Sequence, residues 1–160
     1  MKRWAGMVLL AGTVAAYAGE PVQADARLQR ALKEAELKYA DTAAGDFRFP
    51  FTLETGRTHY VVAASKTAKI GGAEVREIWG VGWKGAQEPG AGIANALLRD
   101  NGLKKIGAWQ LLQQEDGSFC AVFKVNAPAD CSGDVLRAIV SAVAQTADDM
   151  EKSLLNTDEL

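Results

Sequence analysis

Phe47, Phe49, Phe51 and Leu53 alternate with Arg48, Pro50, Thr52 and Glu54. A run of period two, with large apolar groups on one side and polar groups on the other, fits a strand with one buried face and not a helix. Pro50 narrows the reading further, because proline has no N–H to give to a ladder and so belongs at a sheet edge or a bulge. Beyond the Thr55-Gly56 turn, Arg57 to Ser65 (RTHYVVAAS) is rich in β-branched and aromatic residues and reads as a second, antiparallel strand closing a hairpin. Lys66 to Ala73, with Gly71-Gly72, reads as a loop. Glu74 to Trp83 (EVREIWGVGW) then reads as a third strand carrying Val75, Trp79, Val81 and Trp83 at even spacing. Gly80 and Gly82 fall on the opposite side, which leaves that face bare where a helix or another backbone approaches closely.

Helical spacing brackets these strands. From Asp25 to Asp41, residues Leu28, Leu32, Ala35 and Tyr39 recur every three or four positions, with Asp25 as the cap and Glu34 with Lys38 as an exposed pair. After a loop from Lys84 to Gly90, a second helix starts near Ala91, with Ile93, Ala96 and Leu97 on one side. Trp109 to Gln113 and Phe119 to Asn126 form another hairpin around an Asp116-Gly117 turn. Pro128 breaks that ladder, Ser132 caps a third helix, and the helix runs to about Leu155. Its row of Leu136, Val140, Val143, Ala147, Met150 and Leu154 fits a coiled-coil seam or a helix lying across its own sheet. Val135, Ile139 and Ala142 widen the stripe and favour the second reading.

The expected fold is therefore α+β, in the order α-β-β-β-α-β-β-α: an antiparallel five-stranded sheet with helices packed mainly on one face. At its start, Lys2 and Arg3, the apolar run from Trp4 to Ala16 and the small residues Ala16-Tyr17-Ala18 read as a secretory signal peptide cut after Ala18. The run is shorter than the roughly 20 apolar residues of a spanning helix, so residues 19–160 are expected as one domain without stable membrane insertion, in a bacterial periplasm or outside the cell. Lys2 and Arg3 lie in the leader and none of the 20 acidic residues does, so 16 Lys plus Arg remain and the net charge is near −4. With Lys104-Lys105 as the only adjacent basic pair after the leader, no basic stripe follows a phosphate backbone and nucleic acid is not the expected partner.

Candidate chemistry is sparse. His59 is the sole histidine and sits on a strand with no acidic cluster near it in sequence, so it reads as an ordinary strand residue rather than a metal ligand or a base. Asp148, Asp149 and Glu151 read as the solvated side of the last helix. Gly80, Gly82, Gly90 and Gly92 lack the spacing and context of a phosphate loop, and no cofactor is expected. Thr157-Asp158-Glu159-Leu160 shares three residues with a retrieval signal, but Thr157 replaces its basic residue and the segment reads as a frayed acidic tail. Cys120 and Cys131 are expected to remain free, buried thiols. Six strand steps from Cys120 advance about 20 Å and five residues return at most about 17 Å, against the roughly 4.4 to 6.8 Å between Cα atoms that a bridge tolerates.

The element order resembles the type III secretion chaperone-like fold. The segments Leu97 to Leu111 (LLRDNGLKKIGAWQL) and Asp116 to Asp130 (DGSFCAVFKVNAPAD) are similar to its YbjN-like branch. That resemblance implies a small protein-binding or regulatory module, often dimeric, with no catalytic residues to carry over. The secretion chaperones act in the cytosol, whereas this chain opens with an export segment. Trp79, Gly80, Gly82, Trp83 and Trp109 form the candidate partner surface, since indoles combine a large contact area with a polar handle. Filling the core is the competing role for all three rings. A small-ligand binder or an enzyme whose site is assembled only in the fold is the alternative function.

Overall fold

A computed structural model describes residues 24–42 and 44–160. The expected signal peptide lies outside the described residues. Three helices and six strands follow in the order α1 (Ala26–Glu34), β1 (Ala40–Asp41), β2 (Phe47–Thr52), β3 (Thr58–Ile70), β4 (Ala73–Gly85), α2 (Ala91–Asn101), β5 (Ala108–Gln113), β6 (Phe119–Pro128) and α3 (Gly133–Leu154). The strands form one antiparallel sheet ordered β1-β2-β3-β4-β6-β5. Buried residues of all three helices join those of one sheet face in a single core, with Leu28 and Leu32 of α1, Leu97 of α2 and Leu136, Val140 and Val143 of α3 set among Phe47, Phe49, Val61, Ile78 and Phe123.

The α+β class stands, but the sheet has one strand more than the sequence suggests, because α1 stops early. Glu36 takes a left-handed φ of 53°, and the amides of Glu36 and Leu37 bond back to the carbonyls of Lys33 and Leu32. This double closure ends a helix, but it places glutamate where glycine is the usual marker. Tyr39 thus lies beyond the helix and packs edge-on against Phe47, and Ala40–Asp41 is free to pair with Arg48 and Phe47 as the extra strand. The helical pair that forms is Arg30 with Glu34, not Glu34 with Lys38. Because β1 begins only at Ala40, opposite Arg48, Pro50 borders an open edge, where its missing N–H breaks no ladder.

The expected loop from Lys66 to Ala73 is instead the far end of a long hairpin, in which only Gly71 and Gly72 turn between β3 and β4. Ala68, Lys69 and Ile70 are exposed, so this arm carries no inside–outside alternation to mark it as strand. Two ladder irregularities, between Ala63 and Thr67 and between Val81 and Trp83, shift the register. The second reverses the alternation: Arg76, Ile78 and Gly80 face inward opposite Ala127, Val125 and Phe123, and past Gly82 it is Trp83 that faces inward opposite Ala121. The even spacing of Val75, Trp79, Val81 and Trp83 therefore does not put them on one face.

α3 lies across the sheet, with Leu136, Val140, Val143 and Ala147 completely buried. Ser132 caps it by accepting the Val135 amide. Arg76, also buried on the inner face, donates to the carbonyls of Ala64 and Ala129 and to the Asp25 carboxylate, all at 2.8 Å, tying the start of α1 to the sheet. Cys120 and Cys131 are unpaired, separated by most of β6, and burial raises the pKa of both thiols. None of the helices among the described residues is long and apolar enough to cross a membrane.

Candidate functional site

Four of the five residues singled out for a partner surface are covered by the chain itself. A Cβ added at Gly80 would lie 3.1 Å from Ala147 Cβ and 3.3 Å from Val143 Cγ1, so α3 is the backbone that this bare face admits. At Gly82 it would lie 2.4 Å from the Trp109 ring. Trp109 is buried there, tilted against Phe123, and α2 satisfies its polar groups: Asp100 accepts the indole N–H at 2.7 Å and Asn101 the backbone N–H at 2.6 Å. Trp83 is buried beside them. Trp79 alone remains half-exposed, on the opposite, outer face.

That outer face is apolar at its centre and charged around it. Val62 and Trp79 are directly opposed, as are Val81 and Val122. Tyr60 is 42% exposed, with the Arg48 guanidinium 3.9 Å above its ring. Lys124, opposite Trp79, pairs with Glu77 at 3.0 Å.

A second assembly, not visible in sequence order, lies under the other face. His59 on β3 points inward, and the last two turns of α3 bring Asp148 and Glu151 to it. One ligand-capable atom from each of the three residues lies within 4.8 Å of the other two. All three side chains are buried, with His59 and Glu151 at 0% exposure and Asp148 at 2%. The two carboxylates are thus not on the solvated side of α3, where only Asp149 remains, accepting from Gln145. Arg57, just before β3, donates through Nε to Asp148 Oδ1 at 2.6 Å and sits 3.8 Å from Glu151 Oε2.

The C-terminal segment closes this assembly instead of fraying. Glu151 Oε1 accepts the Thr157 hydroxyl at 2.8 Å and the amides of Glu159 and Leu160 at 2.7 and 3.2 Å, while Arg57 Nη2 donates to the Thr157 carbonyl at 2.5 Å. Glu151 Oε2 is left without a hydrogen bond among the described residues, as are both ring nitrogens of His59. His59 Nδ1 and Glu151 Oε2 stand 3.7 Å apart, too far for a hydrogen bond. Burial pushes the imidazole below its ordinary pKa, outweighing the opposing pull of Glu151 and Asp148.

One sequence signal pointed to this arrangement. Ala144, Asp148, Glu151 and Leu155 repeat the spacing of the buried row beside it, one position on, so the acids lie in line with apolar residues. Two surface concavities, of about 610 and 470 Å³, lie elsewhere: one against α1 at Gln29, Lys33 and Tyr39, the other beside Ile106, Lys124 and Ile139. No family model, curated protein or solved structure matches the chain.

Proposed function

We propose that this chain is an exported, non-enzymatic protein-binding module of the YbjN-like kind, working through the outer face of its sheet, with a second copy of itself as the simplest partner. One observation carries the reading. The helices cover the inner face, while the outer face holds Trp79, Val81, Val62 and Tyr60 at a partly exposed centre ringed by Arg48, Lys124 and Glu77. An aromatic centre with a charged rim is the anatomy of a contact surface, and one that presents both signs of charge suits an isologous pairing.

Light scattering of the purified protein across concentrations tests this, with Trp79→Glu as the variant. Association that W79E abolishes without moving the melting temperature is the expected result. A strict monomer that also captures no envelope protein overturns the reading. Export is read from the mass of the protein recovered from cells: loss of residues 1–18 supports it, and an intact membrane-held chain refutes it. The buried histidine–carboxylate cluster is the observation that favours the alternative, a small-ligand site assembled in the fold.

A further inference from the structure

We propose that His59, Asp148 and Glu151 form a binding site for one divalent transition-metal ion of the zinc type. The division of labour within Glu151 is the starting point. Oε1 accepts three hydrogen bonds from the C-terminal segment, whereas Oε2, equally buried, has none among the described residues and faces a histidine whose nitrogens are also without partners. Burying polar atoms without partners is costly, and here they converge from two elements upon one point.

Their spacing is that of ligands and not of hydrogen-bonding neighbours. Zinc lies about 2.0 to 2.2 Å from histidine nitrogen and carboxylate oxygen, so two ligands on one ion stand about 3.3 Å apart at the tetrahedral angle and about 4.2 Å apart when opposed. The 3.7 Å between His59 Nδ1 and Glu151 Oε2 falls inside that range. The Asp148 atom, within 4.8 Å of both, completes a three-ligand set after a contraction of at most about 1.5 Å to the tetrahedral spacing. The donors are one imidazole and two carboxylates with no thiolate, a nitrogen–oxygen set that suits zinc and its first-row neighbours.

Charge agrees. Asp148, Glu151 and Asp158, the last 3.5 Å from Arg57, set three carboxylates against one guanidinium, an excess of negative charge that a dication offsets. Arg57, bound to Asp148 Oδ1, leaves the other oxygen of that carboxylate for the ion and fixes its direction, the role of an outer-shell partner. The tail residues do the same for Glu151 through Oε1. This site is independent of the outer sheet face, and failure of either proposal leaves the other standing.

The chain's single histidine makes the test direct. Zinc sulfate is titrated into ¹⁵N-labelled, tag-free protein after chelator treatment, and the imidazole nitrogen resonances are followed by NMR. The expected result is a shift of one imidazole signal that saturates at one equivalent, accompanied by a higher melting temperature. E151Q keeps an amide oxygen for the tail but removes the anionic ligand, and is expected to weaken zinc binding about 100-fold or more. An imidazole signal unmoved by excess zinc overturns the proposal, including the case in which zinc is taken up by Cys120 or Cys131. Wild-type affinity in a folded E151Q also overturns it. Should E151Q fail to fold, the wild-type imidazole signal decides alone.

Discussion

Gly82 and Arg76 show how far a single residue in this chain acts beyond itself. Any side chain at position 82 meets the Trp109 ring at 2.4 Å and the Ala147 carbonyl at 3.1 Å, and that ring is pinned by its bond to Asp100. Gly82→Ala is therefore expected to cost about 2 kcal/mol in urea unfolding, within the usual range for overpacking. Gly80→Ala meets only methyl groups and a ring edge at 3.1 Å and beyond, and is expected to cost less than Gly82→Ala in the same assay. Arg76 donates all three of its hydrogen bonds to groups from separate segments, and Arg76→Met strands two carbonyls while Asp25 keeps Arg27. A loss of about 2 to 3 kcal/mol is expected by the same measurement. Sequence reading found Gly82 by its lack of a side chain. It had no means of finding Arg76, because a charge on a strand face carries no mark of the carbonyls that will surround it.

At the scale of elements, α1 is held to the sheet by a forked pair, Arg27 donating to both oxygens of Glu74 at 2.9 and 3.0 Å, beside Asp25. The Arg27 and Thr67 bonds lower the Glu74 pKa from 4.5 to about 2. For Asp25, burial alone would raise the pKa, but the bonds from Arg27 and Arg76 outweigh it and the pKa falls well below its usual value. A carboxylate with a lowered folded-state pKa adds stability that is complete above its unfolded value and is lost as the pH drops toward the folded one. The docking of α1 is thus expected to weaken between pH 4.5 and about 2. Amide exchange of α1 reads this directly, and Glu74→Gln should remove much of the pH dependence. Elements with one buried face were legible beforehand: β2, β6 and α3 were found within a few residues. What escaped was structure without that contrast. β1 is two exposed residues, the β3–β4 arm is solvated on both sides, and the end of α1 rests on a backbone angle that glutamate does not advertise.

Across the whole molecule, the two faces of the sheet divide its proposed work, contact outside and ion binding inside. The inner cluster was illegible because His59 lies 89 and 92 positions from the two acids in the chain, and only the crossing of α3 over β3 brings them together. The thiols belong to this scale too. With most of β6 between them, Cys120 and Cys131 are expected to show no loss of two hydrogens in a non-reducing mass measurement, and such a loss would mean that the start of β6 is not where it is described. The irregularity at Gly82 also bears on how a lineage of such chains can change in length. Deleting Gly82 would leave Trp83 opposite Ala121 and facing inward, with Lys84 facing outward, because the extra residue lies between Val81 and Trp83, whereas a deletion elsewhere along β4 would move every residue on one side of it to the other face. Within β4, length is therefore free to change by one residue at Gly82 and is fixed along the rest of the strand. Insertions and deletions are expected to accumulate in the exposed turn at Glu115 to Gly117, which shifts no ladder, and not along β4 outside Gly82.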